Sequence, residues 1–371
     1  MRFYFLAGAA IALATAYMAC KQEMTVRDKP AGRLQDSKAS LMQALSTPCG
    51  CWIATTNQNS NHRIEVYDPA VFNWDTPAAL KWSWKPATAN GYSSYEVSLW
   101  DNPTDVKLRN TTVFSGTSQA IAASGGILAT IAAYPSGARK WIIGFAPHTG
   151  VHSVELLPNG NIAVAAAGET GYTVGNWIRV YSSSQAAPND TNYDQFNLAS
   201  AHATLWDPSL NRLWVTGYLK VRRAGKPDTN MHVLTPLIVG GTAANPTLTE
   251  DSVRRSVLPG AWGHDVYPVY YDNNKLWVTM NTDFHNGGAY IYDKTTKLFT
   301  AAPGASNRDF VKSIGNQPSG QIVETRPRPN PASGWVTDTV DFYAPSGALN
   351  AQRAVTGAKF YKARVFDPDY Q

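Results

Sequence analysis

Cysteine is almost missing from this chain, with three in 371 residues, at Cys20, Cys49 and Cys51. That scarcity excludes a disulfide framework, so a packed core has to hold the fold. A bridge between Cys49 and Cys51 would close a very small, strained ring. Charge is scarce as well: 16% of residues are Asp, Glu, Lys or Arg, and the net charge is +5. The Lys and Arg residues are scattered instead of forming the basic stripe of a nucleic-acid binder, which removes that class of partner. Beyond the N-terminal run no stretch approaches the roughly 18 continuous apolar residues of a membrane span. Gly-x-Ser-x-Gly elbows, phosphate-cradling loops, dinucleotide fingerprints and His-Glu-x-x-His motifs are all missing, and the enzyme classes that depend on them go with them.

What is plentiful is the material of turns and short strands. The chain has 12 Trp, 18 Tyr, 28 Gly and 23 Pro, which describes an all-β fold and neither a helical bundle nor a disordered chain. Residues 1–19 read as a secretory signal peptide: Met1-Arg2, an apolar run from Phe3 to Ala19, and the small-x-small site Ala14-Thr15-Ala16. The expected location is therefore extracellular. The alternative is an outer-surface lipoprotein anchored through Cys20, although no Leu stands three positions before it. Asn110-Thr111-Thr112 and Asn189-Asp190-Thr191 are acceptor sequons and suit a secreted glycoprotein. Residues 20–50 are polar and carry no strand pattern, a spacer ahead of one domain over 51–371.

Within that domain a unit of short strands and Gly, Asn, Asp or Pro turns repeats at the period of a propeller. His152-Ser153-Val154-Glu155-Leu156 leads through Asn159-Gly160 to Asn161–Ala166. His202-Ala203-Thr204-Leu205-Trp206 leads to Arg212-Leu213-Trp214-Val215-Thr216, and His264-Asp265-Val266-Tyr267 to Lys275-Leu276-Trp277-Val278-Thr279. Three further opening strands contain Lys107, Lys312 and Lys362. The strand Phe360–Phe366 has nothing after it, whereas Trp52–Thr56 and Arg63–Tyr67 have no opening strand before them. Pairing the C-terminal strand with the N-terminal blade makes six blades and removes the open edge of the ring. The longest interval, between His202 and His264, predicts an insertion around Lys220 to Thr249, forming a loop on one face.

The innermost strands of a propeller line its channel, so matched repeat positions become neighbours. His152, His202 and His264 then converge, and three imidazoles with an open fourth position suit a divalent Zn, Mn, Fe or Cu ion. The competing reading is structural, with each ring tying neighbouring blades together by hydrogen bonds to backbone. Lys107 or Arg109, Lys312, and Lys362 or Arg364 approach the same axis, which calls for an anionic ligand or for acidic partners such as Glu155, Asp265 and Asp338. Outward-pointing side chains at the blade edges are the alternative. Val311-Lys312-Ser313 beside Glu324-Thr325-Arg326 permits proton transfer between adjacent strands. His62, His148 and His232 read as loop residues, and His285 as an edge of the channel mouth.

His152–Ala166, His202–Gly217, His264–Asp293 and Val311–Arg326, with Tyr361-Lys362-Ala363-Arg364, resemble an uncharacterised family of secreted bacterial and fungal six-bladed propellers. That resemblance implies the architecture and leaves activity open. In arrangement only, the histidines are similar to those of propeller-type polysaccharide lyases that act on uronic acids with a bound divalent ion. The expectation is a secreted carbohydrate-active enzyme, a metal-assisted lyase of uronate-containing glycans. His152, His202 and His264 would hold the metal, Lys312, Arg326 and Arg364 would act in catalysis by neutralising the sugar carboxylate, and Lys107, Arg109 and Lys362 would bind substrate. The rival is a non-catalytic propeller that binds a glycan or protein through Trp82, Trp84, Trp100 and Trp262, and a metal-dependent hydrolase or lactonase comes third. The partner is an anionic glycan or small anionic ligand, and the protein is expected to be a monomer.

Overall fold

Short runs that are apolar on both faces fit a strand sandwiched between two neighbouring sheets, and the second strand of nearly every repeat reads that way, as in Ile162–Ala166, which is buried throughout. The computed structural model describes residues 51–183, 192–223, 226–280, 288–327 and 334–370. The expected signal peptide and spacer, Cys49, the Asn189 sequon and His285 lie outside the described residues. Six antiparallel sheets follow one another around a ring, making a six-bladed β-propeller. Blade 1 is Phe360–Val365, Ile53–Asn57, Arg63–Tyr67 and Leu80–Trp84, so the ring closes by pairing the C-terminal strand with the N-terminal ones. Ile53 stands opposite Val365, and Ala54 opposite Arg364. No edge strand is left unpaired at that junction.

The innermost strands of blades 2 to 6 are Pro103–Asn110, Val151–Leu156, Ala199–Asp207, Gly263–Pro268 and Ser313–Asn316. Five apolar clusters run round the ring between the blades. One, with Val154, Ile131 and Trp141, joins blades 2 and 3, and another, with Leu205, Trp214 and Val278, joins blades 4 and 5. Each such buried side chain contributes about 1.5–3 kcal/mol, so the blades are held by their faces and no disulfide framework is needed. Cys51 is disulfide-bonded.

Two details differ from the sequence expectation. The segment expected to be a loop between Lys220 and Thr249 is mostly strand: Arg212–Arg223 and Lys226–Gly241 pair as a long hairpin, with Tyr218 opposite His232 and Leu219 opposite Met231. The antiparallel ladder satisfies the backbone there, where a loop would leave it to water, and cross-strand aromatic and aliphatic pairs add contact. The second difference is a bulge near the start of several innermost strands. The register slips between Val151 and Ser153, between Gly263 and Asp265, and between Pro103 and Asp105. His152, His264 and Thr104 are therefore the extra residues, and Lys107 lies three positions further down the channel than the histidines it was aligned with. The bulge recurs at the same place in the three strands, so Thr104, His152 and His264 occupy one level of the channel.

Strands alternate in direction, so each innermost strand begins at one face of the ring, the front, and ends at the rear. The chain end crosses the rear of the channel. The Tyr370 hydroxyl donates to the Leu156 carbonyl at 2.5 Å, and its ring lies 4.5 Å from the Arg109 guanidinium, which also reaches the Asp369 carbonyl at 3.4 Å. No described helix is long and apolar enough to cross a membrane.

Candidate active site in the front half of the channel

The three histidines of the repeat do meet. The rings of His152 and His202 stack with centroids 4.2 Å apart and 22° between planes, and the His264 ring lies 5.1 Å from that of His202. The bulges aim His152 and His264 inward, while in blade 4 the irregular stretch around Ser200, whose φ is +51°, does the same for His202. A ring nitrogen that faces a carbonyl must carry the proton, so the partners settle the tautomers. His202 Nδ1 donates to the Ser200 carbonyl at 2.8 Å, and His264 Nδ1 donates to the Lys312 carbonyl at 3.1 Å. His264 Nε2 is thereby an acceptor, and it takes the Tyr361 hydroxyl at 2.8 Å. The oxygen of that hydroxyl lies 3.4 Å from His152 Nδ1, which acts as donor to it.

Nε2 of His152 and Nε2 of His202 receive no hydrogen bond from any described residue. Both rings keep part of their surface exposed, yet they sit deep enough that burial governs their charge. Burial first, then His202, Lys362 and Lys312, holds the His152 imidazole well below its usual range. Burial brings His202 down to about 4, and burial with Lys312 beside it depresses His264. All three rings are neutral bases at neutral pH. Tyr361 is pushed the other way, up, by burial and by the carboxylates Asp265 and Asp105, so its phenol stays protonated. The ammonium groups of Lys312 and Lys362 lie 5.9 and 6.0 Å from the Tyr361 ring centre. Burial and the nearby Lys362 bring Lys312 down to about 8.

Behind this cluster the channel is filled by ion pairs. Arg364 donates to both oxygens of Asp265 and, at 3.0 Å, to Asp105. Lys362 reaches Asp265 at 3.1 Å. Lys107 pairs with Asp105 and donates to the Ser153 hydroxyl at 3.1 Å and the Val154 carbonyl at 2.8 Å. Arg109 grips Glu155 with two bonds, at 2.8 and 3.0 Å. Burial pushes the Asp105 carboxyl up, but Lys107, Lys362 and Arg364 together hold it well below the usual carboxylate range. Among the described ion pairs of the channel, Lys107, Arg109, Lys362 and Arg364 share the three carboxylates Asp105, Glu155 and Asp265.

The residues expected from sequence thus fall into three groups. His152, His202, His264 and Lys312 form the front cluster together with Lys362. Lys107, Arg109 and Arg364 are engaged by carboxylates below it, with side chains at most 2% exposed. Arg326 stands apart, donating through Nε to the Asp309 carbonyl at 2.6 Å. Glu155 and Asp265 are acidic partners as anticipated, and Asp338 accepts from the Thr339 hydroxyl. Glu324 does not face Lys312; it points the other way, to Arg308, which also pairs with Asp341. Sequence reading missed Tyr361 and Asp105. Their signal lies in Tyr361-Lys362-Ala363-Arg364 and Asp105-Val106-Lys107, where each stands within two residues of a channel cation.

Among the described residues no three His, Cys, Asp or Glu side chains are arranged to hold a metal ion. His264 commits both of its nitrogens, so the imidazoles left with a lone pair are His152 and His202. Of the aromatic residues expected to bind sugar, Trp84 and Trp100 are core and Trp82 is half-buried beside Tyr134 and Phe366. Trp262, 47% exposed, is the one at the surface. It directly precedes the innermost strand of blade 5, and Phe310, Trp335 and Tyr172 are also exposed in front-face loops.

The sequence pattern of a family of unknown function (DUF6528) matches residues 57–369. No curated protein matches the chain. Among solved structures, a protein of unknown function from Bacteroides caccae aligns with a TM-score of 0.50 at 10% identity, over 82% of this chain and 94% of that one. A putative 6-phosphogluconolactonase from Bacteroides fragilis gives a TM-score of 0.37 at 16% identity, over 68% and 67% of the two chains. Dihydro-heme d1 dehydrogenase NirN in complex with DHE gives 0.39 at 10% identity, over 85% and 75%. The first likeness is one of fold alone.

Proposed function

We propose, for a chain that belongs to the DUF6528 family of unknown function, that the front of its channel binds an anionic sugar and moves a proton on it. The reaction class this suits best is β-elimination from a uronate-containing glycan by a secreted enzyme. One observation carries the reading: the lone pairs on Nε2 of His152 and His202 meet no described hydrogen-bond donor, beside a protonated Tyr361 and the cations Lys312 and Lys362.

Elimination needs the carboxylate neutralised, a base for the proton on the adjacent carbon, and an acid for the departing oxygen. Lys312 and Lys362 supply the positive field. His152 Nε2 takes the carbon-bound proton, and the C–O bond breaks with its electron pair going to the leaving oxygen. That oxygen takes the Tyr361 proton. His152 then passes its Nδ1 proton to Tyr361 across their contact, which restores the phenol and leaves His152 neutral with its proton on Nε2; exchange with solvent returns the ring to its Nδ1–H tautomer before the next turnover. A divalent ion would use the Nε2 atoms of His152 and His202 and would act there as a Lewis acid on the carboxylate.

The rival is glycan binding without turnover, and the exposed Trp262 and Trp335 on the same face favour it. Incubation with a panel of uronate glycans separates the two. The absorbance of an unsaturated uronate product, lost in His152→Ala, supports elimination; binding with no product over the whole panel rejects it in favour of the rival.

A further inference from the structure

On the rear face, blades 4 and 5 leave between them a cleft of about 540 Å³ that the channel chemistry does not use. Its lining includes Ser209, Arg254, Asn273, Asn274, Lys294 and Lys297: three cations and several amide or hydroxyl groups, with no carboxylate among its lining residues. Such a volume suits a ligand the size of a substituted monosaccharide.

The acids of this region stand behind the walls, where they orient the lining. Asp207 accepts Lys294 at 2.7 Å and the Trp214 indole at 2.9 Å through one oxygen, and the Ser209 hydroxyl at 2.6 Å through the other. Lys294 also donates to the Ser209 hydroxyl at 3.0 Å, so both groups are fixed at the cleft wall. Asp251 is shared by two guanidinium groups, those of Arg212 at 3.0 Å and Arg254 at 2.7 Å. Asp293 accepts from Asn274 at 2.9 Å and caps the Thr295 and Thr296 amides. Lys297 has no ion pair among the described residues; its ammonium donates to the Val253 carbonyl at 2.6 Å, from a backbone held at φ +60°. A carbonyl leaves its charge uncompensated.

We propose that this cleft is a second binding site, for a phosphate or sulfate group carried by a small sugar or free in solution. Three ammonium or guanidinium groups with amide and hydroxyl donors between them match the several acceptor oxygens of such an anion. The site shares no residue with the channel and stands whatever the channel does.

Calorimetric titration with inorganic phosphate, a hexose phosphate and a hexose sulfate tests it. The expected result is saturable binding of at least one probe that weakens about tenfold or more in Arg254→Ala/Lys297→Ala and stays unchanged in Lys140→Ala, on the outer part of blade 2. Thermal melts of both variants confirm that they are folded. A hexose phosphate or hexose sulfate that binds more tightly than the free ion identifies a sugar ester, and equal affinity identifies the free anion. Absence of saturation with all three probes, or equal affinity in the Arg254→Ala/Lys297→Ala variant, overturns the site.

Discussion

Tyr361 and His264 lie 97 positions apart in the chain and come from blades 1 and 5, yet the phenol donates to the imidazole across 2.8 Å in the middle of the channel. Tyr361 stands on the C-terminal strand that closes the ring by pairing with Ile53–Asn57. The site is therefore complete only when the propeller is closed. Tyr361→Phe removes this bond and the contact to His152 while keeping the ring. We expect turnover of a responsive uronate substrate to fall by about a hundredfold or more, with a melting temperature within a few degrees of the parent. An unchanged rate would exclude Tyr361 as the acid.

Anion affinity in the channel should follow Lys312. Burial with Lys362 beside it brings that ammonium down to about 8, so it is charged below that pH and neutral above it. Binding of a uronate oligosaccharide should weaken as pH rises through about 8, and Lys312→Met should flatten the curve. Because all three imidazoles are already depressed, no inflection is expected near the ordinary histidine value of about 6.5. A titration with its break there would contradict the neutral rings described above.

Asp265 holds Lys362 and Arg364 at once. Asp265→Ala leaves two buried cations short of a carboxylate and should cost about 3–5 kcal/mol, read as a lower urea midpoint. A variant as stable as the parent would show that Asp105 and water take over.

Glu324 sets a pH dependence of stability. Burial pushes its carboxyl up to about 8, against the Arg308 charge that draws it down, and one of its oxygens has no hydrogen-bond partner among the described residues. The folded protein then keeps a proton that the unfolded chain releases near 4.5. Stability from this group is full below that pH and is lost as pH rises toward 8. Glu324→Gln should flatten the urea midpoint over that window; an identical slope in the variant would place the carboxyl proton elsewhere.

Metal content discriminates the roles of the imidazoles. Elemental analysis of the purified protein, beside His152→Ala/His202→Ala, should give a near-stoichiometric ion lost in the variant if the two Nε2 atoms are ligands. Equal and negligible metal in both forms would leave them as proton acceptors.

The number of blades and the way the ring closes were legible in residue order, because each blade must bury both faces of its second strand and so repeats one apolar run. His152, His202 and His264 could be grouped on the same ground. The depth of each channel residue could not be read. The residue level with His152 and His264 in blade 2 is Thr104, which carries no imidazole to mark the frame, so Lys107 lies three positions below that level. Partner choice was hidden too: Arg109 meets Glu155 and Arg308 meets Glu324 because the fold aims their side chains at each other.

The sequence by itself determined the all-β architecture, its six repeats and the convergence of three histidines, since hydrophobic alternation and turn chemistry are local and recur. Only the tertiary structure decided which of the channel cations meet carboxylates, that Tyr361 joins the histidines, and that a cationic cleft opens between blades 4 and 5. Those outcomes depend on register and on contacts between strands far apart in the chain, where a shift of one residue turns a side chain from the channel to the core.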